Sequence, residues 1–127
     1  MVVSTAEVIS GSSIGLPNKG FAFLDREIYL PQEWANDQQR REAAGVPESV
    51  KFATKPQLAR VMLERARAAK VPLAWVTADT VYGNDRRLRE WLEENEQAYV
   101  LAVAWSERVW MDGSTEPMQV SVEQVIS

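Results

Sequence analysis

Between Thr54 and Trp105 the chain alternates between helical and strand-like hydrophobic periods with only a few residues between segments, and this constrains its fold more than any other feature. Thr54 and Gln57 have capping-box spacing, and Leu58, Val61, Met62, Ala66 and Ala69 follow at helical intervals, which predicts a helix over 55–70. Residues 71–76 are a short apolar run rich in Val and Trp. Pro72 stands at its start, where a missing donor is tolerated, so the run predicts a buried strand ending at Asp79. Asn84 or Asp85 is placed to cap a second helix carrying Leu88, Trp91 and Leu92 on one face, with Asn95 as its left-handed stop. AYVLAVAW, residues 98–105, predicts another apolar strand. Strands and helices alternating through short connections imply right-handed crossovers and parallel pairing, so the fold class is α/β.

The flanking segments carry weaker signals. FAFLDREIYL, residues 21–30, alternates in part and is ended by Pro31, which predicts a strand. Residues 32–53 are polar, punctuated by Gly45 and Pro47, and read as a surface connection with room for a short helix near 36–43. Residues 1–20 are Ser- and Gly-rich and read as a poorly ordered start or the remnant of a strand. After Trp110, Asp112-Gly113 marks a turn and MQVSVEQV alternates like an edge strand. No repeat, low-complexity tract or long linker interrupts these 127 residues, so one core is expected.

Composition sets limits on chemistry. With 46 % hydrophobic and 25 % charged residues the chain is ordinary globular material. It contains no Cys and no His, which excludes disulfides, thiolate zinc sites, imidazole bases and Ser-His-Asp triads, so a metal would have to be held by oxygen. No secretory leader, lipidation signature or membrane-length apolar run is present, and a cytoplasmic protein is expected. A net charge of −4 argues against a free-standing nucleic-acid binder, because phosphate binding draws on clustered Lys and Arg.

Functional groups of open α/β sheets gather at the carboxyl ends of strands, and Asp79 sits at such an end. A carboxylate there is a hard ligand of the kind Mg²⁺ or Mn²⁺ prefers, and a second acid on a neighbouring element would be needed for a two-metal site. Spacing alone favours the plainer role, a cap on the turn into the next helix supported by Thr77 or Thr80. A functional reading of Asp25, Arg26 and Glu27 pairs Asp25 with Asp79 across adjacent strands; alternation favours placing the three on a solvent face. Arg60, Arg65, Arg67, Arg86, Arg87 and Arg89 lie on the two helices within reach of phosphates, but Glu64, Glu90, Glu93 and Glu94 nearly neutralise them, so they read as a solvated face. Trp75, Trp91 and Trp105 fall in apolar stripes and read as core. Trp34 follows a proline in a polar stretch and has no evident place. Gly11, Gly15 and Gly20 match no phosphate-loop fingerprint.

The ordered series LDREIYLPQEW, RREAAGVPESVKFATKPQLARVMLERA, VPLAWVTADTVYGND, LREWLEE and YVLAV resembles one family, from about residue 20 to about residue 110. The chain resembles an insertion-sequence transposase of the DDE superfamily, insertion-sequence 701-like. The resemblance implies a partial ribonuclease-H-like fold, a mixed sheet with flanking helices, in which 21–110 is part of the catalytic domain, 1–20 is poorly determined and 111–127 begins an inserted β region. It also implies three acids holding two divalent metals, Mg²⁺ or Mn²⁺, for cleavage and transfer of DNA at transposon ends. The second acid ends the strand in an ADxxYG-like motif and maps onto Asp79, while Tyr82 and Gly83 match the same motif and are expected to shape the turn that presents it. The other two acids find no counterpart: nothing before Gly20 matches, and Glu107, Asp112, Glu116 and Glu123 come too early for the last. A truncated, inactive fragment is therefore expected, its parent's DNA-binding charge lying elsewhere. Two rivals stand beside this: a non-catalytic remnant that binds protein, for instance a full-length relative or another copy through exposed sheet edges, and a small DNA-binding module, which the acidic balance disfavours.

Overall fold

The computed structural model describes residues 24–111 and 117–126, together with the backbone of two short strands, β1 (Val2–Val3) and β2 (Val8–Ile9). After them come β3 (Ile28–Tyr29), α1 (Gln32–Ala35), α2 (Gln38–Ala43) and the long α3 (Lys55–Ala68). The central segment is β4 (Trp75–Ala78), α4 (Thr80–Gly83), α5 (Arg86–Glu94) and β5 (Tyr99–Leu101). A hairpin of β6 (Arg108–Met111) and β7 (Met118–Ser121) leads into α6 (Val122–Ile126). The main sheet is mixed, in the order β2-β4-β5: β4 and β5 run parallel with Val76 opposite Tyr99, and β2 is antiparallel to β4 with Val8 opposite Val76. The α/β class and parallel crossover expected from the alternation are both present.

One core lies under this sheet. Ala59 and Leu63 of α3, Val76 of β4, Tyr82 of α4 and Leu88, Trp91 and Leu92 of α5 are buried together, and Leu92 is fully so. The helices start where local chemistry dictates. Thr54 accepts from Gln57 N while Thr54 N donates to the Gln57 side chain, completing the capping box on α3, and Asp85 accepts from Leu88 N at 2.7 Å to start α5.

Both long helices end alike. Val71 N donates to Ala66 O and Gln97 N to Leu92 O, the six-to-one bond of a Schellman ending, with Lys70 (φ 56°) and Glu96 (φ 51°) in the left-handed position. The expected left-handed stop at Asn95 is therefore displaced by one residue. Asn95 keeps φ −96° and instead donates its side-chain amide to Trp91 O at 2.8 Å.

Other expectations are corrected. Trp75 is 50 % exposed because its neighbour Val76 takes the buried face of β4, and Trp105 is 70 % exposed because β5 stops at Leu101 and Trp105 lies in the following turn. In the predicted strand 21–30, residues 21–23 fall outside the described residues and only Ile28–Tyr29 pairs, with β1. Its alternation holds at Leu30, which is buried, and at Arg26, which is exposed, but fails elsewhere. Leu24 and Ile28 are exposed, whereas Asp25 and Glu27 turn toward α3 and both bind Arg65, the Asp25 contact at 2.7 Å. The predicted turn at Asp112-Gly113 lies outside the described residues; beyond it the edge strand is β7, and VEQV forms α6 instead, because Ser121 and Gln124 exchange capping bonds. Trp34 is half-buried with the Arg40 guanidinium 4.8 Å from its ring centre.

Three measurements test this description. Leu92→Ala empties a fully buried site on the face of α5 turned to the sheet and should cost about 2–5 kcal/mol in a urea titration. Lys70→Gly and Glu96→Gly each relieve a left-handed side-chain clash and should stabilise by a few tenths to about 1 kcal/mol; a loss at both positions would contradict the observed endings. Desolvation pushes the Asp25 carboxyl up, but the hydrogen bonds from Arg65 and Arg26 N and the Arg65 charge outweigh it, leaving the group below its ordinary value. Its contribution is thus present above about pH 4 and lost as pH falls through the lowered folded value. Arg65→Gln should reduce that acid sensitivity, leaving the part due to Arg26 N, at a cost of about 1 kcal/mol or less for so exposed a pair.

Candidate functional site

The carboxyl end of β4 delivers the chain directly into α4, and Asp79 is the residue between them. Its backbone is extended (φ −78°, ψ −175°), its Oδ1 accepts from Val81 N at 3.0 Å, and its carbonyl accepts from Tyr82 N and Gly83 N. Asp79 is thus the N-cap of α4, as the spacing suggested. Its side chain is exposed, and one Oδ1 bond to the backbone leaves Oδ2 and the outward lone pairs open. Tyr82 is buried beneath it. Burial, and secondarily the Asp79 charge, push the Tyr82 phenol above its usual value, so it stays neutral.

Gly83 sits where α4 crosses the end of β5. A Cβ there would collide with the Ala102 carbonyl, lying 2.8 Å from its carbon, and would be 3.2 Å from Leu101 Cβ. The requirement is for close approach, since Gly83 is helical. Four further hydrogen bonds tie β4, α4 and α5 to one another and to the chain after β5. Ala102 N donates to Ala78 O at 2.9 Å, Ala104 N donates to the Asn84 side chain at 2.9 Å, and Arg89 donates both to Gly83 O and to Glu107 Oε1, the latter at 2.9 Å.

Sequence reasoning missed these clamps. Arg89 was expected on a solvated face, but its side chain is only 20 % exposed; of the two expected caps of α5, Asp85 takes the role and Asn84 closes α4 instead. One signal was present: Arg89 lies three residues before Leu92, at the margin of the buried stripe of α5. Asp25 is not brought into a site with Asp79, being engaged by Arg65.

A two-metal centre needs several converging carboxylates. Among the described residues no group of three or more His, Cys, Asp or Glu side chains converges, so these residues do not fit a complete centre, and Asp79 offers a single oxygen ligand. Gly83→Ala should destabilise by about 1–3 kcal/mol or more, because the added methyl meets backbone rather than a flexible side chain; full retention of stability would mean that α4 does not approach β5 this closely.

A family model described as DDE superfamily endonuclease matches residues 2–121, reaching past both ends of the stretch from which the resemblance was read. Comparison with curated proteins and with solved structures gives no match. The mixed sheet with helices packed on it, formed by β2, β4, β5, α3 and α5, agrees with part of the ribonuclease-H-like fold of such enzymes, whose chemistry on DNA uses divalent metal ions. Among the described residues no helix is long and apolar enough to cross a membrane. The family match spans nearly the whole chain and includes the motif ending in Tyr82 and Gly83, so the protein belongs to the DDE superfamily of transposase-type endonucleases.

Proposed function

We propose that Asp79 is one ligand for a divalent ion, Mg²⁺ or Mn²⁺, in the cleavage and transfer of DNA at the ends of an insertion sequence, and that these 127 residues do not complete that centre alone. The observation that carries the reading is an exposed carboxylate at the carboxyl end of the central strand, its orientation set by Val81 N and by a glycine that admits no side chain. Tyr82 and Gly83 then act on the metal site indirectly, by fixing the turn. The proposal carries with it a cytoplasmic location, the insertion-sequence 701-like group, and a division into 1–20, a catalytic-domain part at 21–110, and the start of an inserted β region at 111–127.

A second reading, association with a full-length relative or another copy, is favoured by one feature: β5 lies at the edge of the sheet order β2-β4-β5, with Val100 62 % exposed.

Mn²⁺ titration followed by amide NMR tests the first reading. Broadening should centre on residues 77–83 and vanish in Asp79→Asn, whereas broadening unchanged in that variant would remove Asp79 from the site. In a nicking assay on transposon-end DNA with Mg²⁺ the chain should leave the DNA intact. Cleavage that Asp79→Ala abolishes would show that the centre is complete after all.

A further inference from the structure

The turn after β5 is bonded on two sides. Toward Asp79, Ala104 N donates to the Asn84 side chain, and the Glu107 carboxylate accepts from Arg89 at 2.9 Å while the same guanidinium donates to Gly83 O. Toward the hairpin, Val122 N donates to Glu107 O and Glu123 N to Trp105 O, each at 2.9 Å. A bond from Glu107 N to Ala104 O closes the turn itself. We propose that Glu107 is a positioning residue for the Asp79 carboxylate, and that through it the unit of β6, β7 and α6 bears on the direction of that carboxylate. The inference rests on the reading of Asp79 as a metal ligand and deepens it.

The path toward Asp79 is short. Gly83 is the last residue of α4, and the carbonyls at a helix end need partners from outside the helix. A guanidinium is a planar fork with fixed donor directions, so the arm on Gly83 O is aimed by whatever holds the other arm. Glu107 holds it. The two side chains are 20 % and 26 % exposed, which sets this pair apart from the solvated Arg86–Glu90 pair on the same helix. Asp79 caps the opposite end of α4 through Val81 N, and a single turn cannot absorb a displacement of one end without passing it to the other.

The path toward the hairpin uses the same residue. The first N–H groups of a helix have no partner within it, and in α6 these are Val122 N and Glu123 N, both given to carbonyls of the 104–107 turn. β7 runs directly into α6, and β6 begins at Arg108, the residue after Glu107. Movement of the hairpin therefore reaches the Glu107 backbone from both of its ends, and the Glu107 side chain carries it to Arg89 and Gly83.

The test reads the Val81 amide proton by NMR in the 127-residue chain, because that proton is bonded to Asp79 Oδ1 and reports its direction with or without metal. Glu107→Ala should move the Val81 resonance upfield and weaken Mn²⁺ binding, read from broadening at 77–83, by about tenfold. Glu107→Gln keeps an acceptor for Arg89 and should return both readings toward native. Val122→Pro removes one donor at the first position of α6, where proline is tolerated, and should move Val81 in the same direction; Val122→Ala keeps the donor and should not. An unchanged Val81 signal in Glu107→Ala, or a Glu107→Gln as damaging as the alanine variant, overturns the positioning role. Equal Val81 signals in the two Val122 variants overturn the coupling to the hairpin. Should Glu107→Ala fail to fold, Glu107→Asp, which withdraws the carboxylate by one methylene, takes its place with the same expected shift. A native chain that shows no Mn²⁺ broadening counts against Asp79 as a ligand and leaves the Val81 result standing, so the two failures are told apart.

Discussion

Backbone fills the space that a side chain at position 83 would need, and the site is built around that contact. Because Gly83 has no Cβ, α4 can lie on the Ala102 carbonyl, and Asn84 and Arg89 can then reach Ala104 N and Glu107. The single turn of α4 has too few internal hydrogen bonds to stand alone. It is held instead from outside, by the Asp79 cap at one end and the clamps to 102–107 at the other, with Tyr82 driven into the core between them. The direction of the Asp79 carboxylate is therefore a property of how β4 and β5 are joined.

The long helices were legible because their signals are local. Thr54 with Gln57, Asp85 with Leu88, and the stripe of Leu88, Trp91 and Leu92 specify start, end and face within a few residues. The strands were less so. β4 and β5 are four and three residues long, too short for alternation to say which Trp is inside, and Trp75 fell on the wrong side. Along 24–27 the pattern misled except at Arg26, since a remote guanidinium, Arg65, makes the half-buried face the acidic one. α4 itself is shorter than any period that would announce it. At the site, position alone made Asp79 a cap, and the resemblance added a second role that the cap geometry does not oppose. Asn84, Arg89 and Glu107 become partners only after the chain has folded back.

The arginines show how little residue type decides. Arg65 and Arg89 are structural, each bridging segments distant in sequence, while Arg60, Arg86 and Arg87 make only local contacts beside open space. The net charge of −4 averages over both kinds. The acids divide in the same way: Asp79 and Asp85 cap helices, Asp25, Glu27 and Glu107 anchor structural arginines, and Glu64 and Glu90 pair locally with Arg60 and Arg86.

The β2-β4-β5 sheet also contains a difference in kinetic cost. β4, α4, α5 and β5 are contiguous, so parallel pairing of Val76 with Tyr99 closes a modest loop already stiffened by a helix, whereas Val8 must find Val76 from the far end of the chain. Loop-closure entropy favours the first pairing over the second, and opening follows the reverse order. The turn that carries Asp79 thus belongs to the cooperative unit that forms early and opens late, and the edge contributed by β2 is a later and more easily surrendered addition.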